Sequence, residues 1–360
     1  MKNLVLPLMA ILFCQIVFAQ EIIIKDPTII PIHTDYLIQG KSILIKNGKI
    51  ATVASFASLK KNKSTLIIDA KGKFIMPGLA DMHIHLPTNK HLDSTIKESL
   101  SAGVTHIRAM NSEEDPLGYL TKNQQKYASD FPRIYLSYII TRKDRYTLTQ
   151  LDSLVTSVKK QGYHFIKLFS VADEATFLNL MKVADMHQII VAGHFPSNVS
   201  MELVLKSSFR SIEHLGGYTQ EANFKNLHGL VELSKQVFNC PTLNYFKEAK
   251  VDIVYQSKLE RVFQKLAEQD CLLLVGSDLG GSEGMLKEMK IWENLGISRY
   301  KILKAATMNP ALFFNESNQW GSIQVGKEAS LLLLDKNPLT DIDHLKSIQK
   351  IFLRGKLVKN

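Results

Sequence analysis

Between residues 76 and 315 the chain alternates short apolar runs of strand character with stretches of helical spacing. That alternation restricts the fold more than any other feature, because strands and helices taking turns call for a parallel sheet covered by helices. The strand-like runs are the one holding Met82-His83-Ile84-His85, then 104–108, 133–139, 165–169, 189–194, 211–214, 240–243 and 272–278, which makes eight. Helical spacing occupies 152–160, 174–187, 201–207 and 258–269. The segment is close to the roughly 250 residues of a (β/α)8 TIM barrel. The expected fold is therefore α/β, with residues 76–315 forming the barrel.

The flanks read differently. Ile22-Ile23-Ile24, Ser42 to Lys46 and Thr65 to Asp69 are short β-runs, and Asn47-Gly48 is a hairpin turn signal. After Gly321 come Ser330 to Asp335, Ile351-Phe352-Leu353 and the turn Arg354-Gly355-Lys356. Two β-rich ends around a longer middle predict a small β-sandwich-like domain built from residues 20–75 and 316–360. Residues 1–19 begin with Met1-Lys2, continue through an apolar run and end Val17-Phe18-Ala19 before Gln20, the pattern of a secretory signal peptide. The run is short of the roughly 20 residues that span a bilayer. Cys14 lacks the small preceding residue of a lipid-attachment site, since Leu12-Phe13 stand there. The expectation is export to a bacterial periplasm, with no stable membrane insertion once the signal is removed.

Charge and cysteine narrow the class further. The net charge of +10 comes from 44 basic against 34 acidic residues scattered along the chain, which describes a solvated basic surface and not a nucleic-acid site. Loss of the signal leaves Cys240 and Cys271, too few for a disulfide scaffold. Both stand beside runs expected to be neighbours in a closed barrel, so a bridge and two buried reduced thiols are both open, the second being the commoner outcome.

Residues i and i+2 of a strand face one side, so His83 and His85 can point together into one cavity, where two imidazoles suit a metal ion. Taken singly, the other candidates have plain structural readings. Lys167 could snorkel, His194 could be a loop residue before Pro196, His214 a satisfied core histidine and Asp278 a helix N-cap. Together with the His-x-His pair they fall at the ends of strands one, four, five, six and eight, and such ends converge on one barrel mouth. Lys167 stands out, because Phe165-Ile166-Lys167-Leu168-Phe169 would bury an unpaired ammonium at a cost of several kcal/mol or force it neutral.

These runs resemble the metal-dependent amidohydrolase superfamily, in the branch near prolidase-like and imidazolonepropionase-like proteins. The matching motifs are Pro77-Gly78-Leu79-Ala80-Asp81-Met82-His83-Ile84-His85, Ile166-Lys167, Gly193-His194, Ile212-Glu213-His214 and Gly276-Ser277-Asp278. Ala305-Ala306-Thr307-Met308-Asn309-Pro310-Ala311 and the run Gly321 to Ala329 are also similar. The resemblance implies that Lys167 is an N6-carboxylysine, formed with CO2, that bridges two divalent ions. His83, His85 and Asp278 would hold one ion, and His194 and His214 the other. Zinc is favoured by His and carboxylate ligands, which are also compatible with manganese, iron and cobalt. It further implies attack by a shared hydroxide, with Asp278 as the catalytic group that moves a proton to the leaving amine.

Two departures bear on substrate. Relatives often carry Thr-Thr-Val-Arg-Asp on the second strand, where this chain has Thr105-His106-Ile107-Arg108-Ala109, with His106 and Arg108 on one face. An Ala-Asp pair usual near the C-terminus is Ala329-Ser330. Position near strand ends nominates Arg108, Tyr138, Arg142, Tyr218 and Tyr245 as substrate contacts. The reading is an exported binuclear amidohydrolase cleaving an amide or peptide bond in a small molecule, a dipeptide or N-acyl amino acid. A lactonase or ester hydrolase on the same site and a non-catalytic periplasmic binding protein are the alternatives, and a homo-oligomer is compatible with all three.

Overall fold

A computed structural model of the chain describes residues 21–87, 91–111, 130–141 and 145–359. The signal-like segment and Arg142 lie outside the described residues. Seven parallel strands follow one another around a single sheet: Leu79–His85, Val104–Asn111, Arg133–Ile140, Phe165–Leu168, Ile190–His194, Ser211–Glu213 and Phe238–Cys240. The eighth run, 272–278, closes the ring as isolated bridges. Asn239 pairs with Leu273 and Ile84 with Asp278, both parallel. The expected TIM barrel is what forms.

The eighth strand is irregular for a local reason. Ser277 N donates to the Asp81 carboxylate at 3.0 Å, and Ser277 Oγ donates to its second oxygen at 2.6 Å. Backbone that would continue a ladder is thus taken by a side chain. Gly276 lies so close to the first and seventh strands that a Cβ there would meet His83 Cβ at 2.6 Å and Cys240 Sγ at 2.7 Å.

Strand periodicity sorts the barrel residues. All four residues of Phe165–Leu168 are buried; Ile166 and Leu168 pack with the helical layer, and Phe165 packs with the barrel interior. Lys167 shares the face of Phe165 and so points inward. The helices outside are amphipathic and capped. Leu148–Gln161 starts at a Thr147/Gln150 capping box and buries Leu151, Val155 and Val158. Asp173 and Asp252 cap Glu174–His187 and Ile253–Glu268.

The chain ends form two further sheets. One joins Ile22–Lys25, Ser42–Lys46, Lys49–Ala54 and Leu66–Asp69; the other combines Thr28–Ile29 and Phe74–Pro77 with Leu331–Leu334, Ile348–Leu353 and Lys356–Lys359. Ile24, Ile43, Ile75, Leu333 and Phe352 share a core between them. Phe74–Pro77 passes through Gly78 straight into the first barrel strand, which ties this core to the barrel. Among the described residues no helix is long and apolar enough to cross a membrane. Cys240 and Cys271 are buried free thiols, so the reduced alternative is the one found.

Gly193 sets the spacing of the fourth and fifth strands just before His194. Its φ is 146°, and a Cβ there would lie 2.2 Å from Leu168 O. Gly193→Ala should therefore lower the denaturant midpoint by the equivalent of about 1–3 kcal/mol or more. Gly162, at φ 93° with open space around its Cβ position, provides the comparison. Gly162→Ala should cost only the left-handed penalty, roughly 1–2 kcal/mol. Equal losses would show that the strands do not need this close approach.

Candidate metal centre

Six of the sequence-nominated residues meet at the C-terminal mouth of the barrel. A cavity of about 730 Å³ opens there, lined by His85, Lys167, His194, Glu213, His214 and Asp278, with Phe169, Tyr245, Phe246 and Leu279 among its walls. His83 lies fully buried just beneath, its ring stacked 5.7 Å from His85 and 4.6 Å from His214. His194 follows at 4.9 Å from His214. His214 and Asp278 both have left-handed φ, 61° and 58°, a conformation uncommon for side-chain-bearing residues and one that turns each strand end toward the mouth.

His83 is held in one tautomer. Its Nδ1–H donates to Glu213 Oε2 at 2.7 Å, so Nε2 carries a lone pair. That Nε2 is buried and has no hydrogen-bond partner. It faces Asp278 Oδ1 at 3.4 Å, and His85 Nε2 approaches the same oxygen at 3.2 Å. A bare imidazole nitrogen opposite a carboxylate oxygen is unfavourable unless a cation sits between them. The donor atoms of His83, His85 and Asp278 lie within 4.8 Å of one another, so these residues fit a divalent ion.

The protonation states suit ligation. Burial holds the His83 imidazole well below its ordinary pKa, takes His194 down to about 3 and lowers His214. For Asp278, burial works toward a higher pKa, but the hydrogen bond from His85 and the surrounding imidazoles outweigh it and keep the carboxylate ionised. Lys167 is pushed down to about 8, mainly by burial, with Glu213 and Asp278 pulling the other way. A fraction of it is therefore a free amine near neutral pH.

A second buried trio, His83, Glu213 and Cys240, also brings donor atoms together. It is a hydrogen-bonded network. Burial keeps the Cys240 thiol protonated, and Glu213 is already engaged by Arg108 Nη2 at 2.9 and 2.8 Å. Arg108 also donates through Nη1 to Ser211 Oγ at 2.9 Å and through Nε to Met82 O.

Arg108, nominated as a substrate contact, is placed completely buried, bonded to Glu213. Tyr218 is placed buried, with its hydroxyl donating to Asn239 Oδ1 at 3.0 Å. Tyr138 packs edge-on against Tyr163, its ring 5.6 Å away, beside the helical layer. Tyr245 does line the cavity. His106 is inward too, yet it stacks on Trp320 at 3.8 Å in the barrel core away from the mouth.

Sequence reasoning passed over three supporting groups. Glu213 stands in the motif Ile212-Glu213-His214 with no role of its own assigned by the sequence. Asp81 binds His83 N at 3.1 Å as well as Ser277. Thr242 Oγ1 lies 2.7 Å from His214 Nδ1, and the helix that follows it is anchored by Glu288, which accepts from Leu243 N at 3.0 Å and Asn244 N at 2.7 Å. No local pattern around residue 288 signals that partnership.

Residues 74–358 match the Amidohydrolase family. Imidazolonepropionase from Treponema denticola is 22% identical over 88% of this chain and 91% of its own length. An adenine deaminase from Ruegeria sp. is 38% identical over 66 residues, 18% of this chain, and the match spans only 11% of the deaminase. Among solved structures, a Xaa-Pro dipeptidase with methionine bound in its active site superposes with a TM-score of 0.76 at 17% identity, covering 95% of this chain and 100% of that one. The A. niger ochratoxinase gives 0.74 at 18% identity, covering 95% and 96%. At these identities the superpositions describe a shared fold. The family match covers most of the chain, and the chain belongs to the amidohydrolase family.

Proposed function

We propose that this chain is an exported binuclear hydrolase that cleaves an amide or peptide bond in a small substrate, a dipeptide or an N-acyl amino acid. The observation that carries the reading is the unpartnered His83 Nε2 facing Asp278 beside Lys167, His194 and His214 at one barrel mouth. His83, His85 and Asp278 would hold one ion, His194 and His214 the other, and Lys167, as its carbamate, both. Zinc suits this donor set, and manganese, iron and cobalt are compatible with it. Two such ions would supply Lewis acidity toward the carbonyl oxygen and lower the pKa of water. Export rests on the signal-like first 19 residues.

The chain's own residues supply the rest. Lys167 reacts as its free amine: the nitrogen bonds to CO2 and releases a proton, leaving a carboxylate. Glu213 holds the His83 tautomer, and Thr242 holds the orientation of the His214 ring through Nδ1, as partners of metal-ligating histidines do. The ionised Asp278 accepts a proton from the attacking water and returns it to the leaving nitrogen, so the amine departs neutral. Turnover of dipeptides or N-acyl amino acids that is lost with a chelator tests this function. Turnover of lactones alone would overturn it.

Lys167→Ala should drop the metal content below two ions per chain and abolish turnover, with partial rescue by an added short carboxylic acid. Retention of two ions and full activity would refute the binuclear assignment. Asp278→Asn keeps a ligand oxygen but cannot carry the proton. Amide hydrolysis should fall at least roughly 100-fold, and an activated ester should lose less. Equal losses with metal retained would remove the proton-transfer role. Arg108→Met leaves Glu213 a buried unpaired charge, which should cost about 3–5 kcal/mol in urea unfolding of the apo-protein. It should also weaken metal retention about 10-fold or more in chelator competition. Lost stability with unchanged metal affinity would show that Glu213 orients His83 without help from Arg108.

A further inference from the structure

The cavity wall carries more apolar surface than a metal centre needs. Phe169 is 55% exposed, Leu279 50% and Tyr245 38%, although each lines the cavity beside polar ligands. They leave the ends of different strands: Phe169 directly follows the fourth, Leu279 follows Asp278, and Tyr245 lies on the short helix after the seventh. The aromatic part is braced. Phe169 meets His194 edge-on at 4.7 Å, and Phe246 packs at 6.0 Å from His214, 5.4 Å from Tyr245 and 5.9 Å from Tyr255. A preformed wall of large apolar side chains, left open among the described residues, is the mark of a ligand subsite. Aromatic rings held this way present area without losing much conformational freedom on binding.

We infer that Phe169, Tyr245, Phe246 and Leu279 form a specificity subsite for an aromatic or branched aliphatic group carried next to the scissile bond. The substrate class is then apolar dipeptides or N-acyl amino acids, an inference that rests on the amide-hydrolase reading above. Phe169 and Tyr245 select through the substrate side chain and take no part in the proton transfers. Because the wall adjoins His194 and His214, the apolar group lies beside the reacting carbonyl.

The test uses the metal-loaded full chain with Gly-Phe, Phe-Gly, Gly-Asp and Gly-Gly as substrates, and phenylalanine hydroxamate and glycine hydroxamate as inhibitors. At least one phenylalanine dipeptide should exceed Gly-Gly in kcat/KM by at least roughly 10-fold, the scale on which apolar pockets discriminate. Phe169→Ala and Tyr245→Ala should each shrink that ratio, mainly through KM, with metal content unchanged. Phenylalanine hydroxamate should bind at least roughly 10-fold tighter than glycine hydroxamate, and the same substitutions should erase the difference. If no dipeptide is cleaved but the hydroxamate preference is present and sensitive to Phe169→Ala, the subsite stands and the amide reading fails. A preference for Gly-Asp, no preference in either assay, or a preference that survives both substitutions would overturn the subsite.

Discussion

The ion pair between Arg108 and Glu213 is the constraint around which the barrel interior is arranged. Both side chains are completely buried, and the guanidinium nitrogen Nη2 reaches both carboxylate oxygens. Two charges in such a place are tolerable only when their remaining hydrogen-bonding capacity is used. Here it is: Met82 O and Ser211 Oγ accept from the guanidinium, and the His83 ring and Ser211 hydroxyl donate to the carboxylate. Strands one, two and six are thereby tied together at the level just under the mouth. The same carboxylate that neutralises Arg108 sets the tautomer of His83.

From that tautomer follows the character of the centre. An imidazole whose Nδ1–H is committed below must present Nε2 above, as a lone pair and not as a donor. Burial then keeps His83, His194 and His214 neutral, so these rings do not repel one another around Asp278. Asp278 is the group that stays charged, and Lys167 is held where a neutral amine is accessible. The donor cluster and the apolar wall sit in different layers of the same mouth. The polar groups come from the strands and their C-terminal ends, and the aromatic wall comes from residues that follow those ends.

Asp81 plays a parallel part for the backbone. By accepting from His83 N and from both donors of Ser277, it locks the first strand to the eighth run and delivers Asp278 to the histidines. This explains why the eighth run is a set of bridges instead of a ladder. The closing seam of the barrel is shaped by a side chain, and its irregularity places a functional residue.

Legible in the residues alone are the alternation that makes a barrel, the two β-rich ends, and the identity of the six residues that gather at the mouth. Each is encoded locally: strand and helix periods repeat over a few residues, and a His-x-His spacing fixes which face two rings share. The partners of those residues emerge only from the folded chain. Arg108 and Glu213 are 105 positions apart and Asp81 and Ser277 are 196 apart, so no local period links them. The same limit explains why Arg108, Tyr138 and Tyr218 read as substrate contacts. A strand's period states that a side chain points inward or outward, but the depth at which it sits along the barrel axis, and hence whether it meets a ligand or a buried charge, depends on the stagger of all the strands at once.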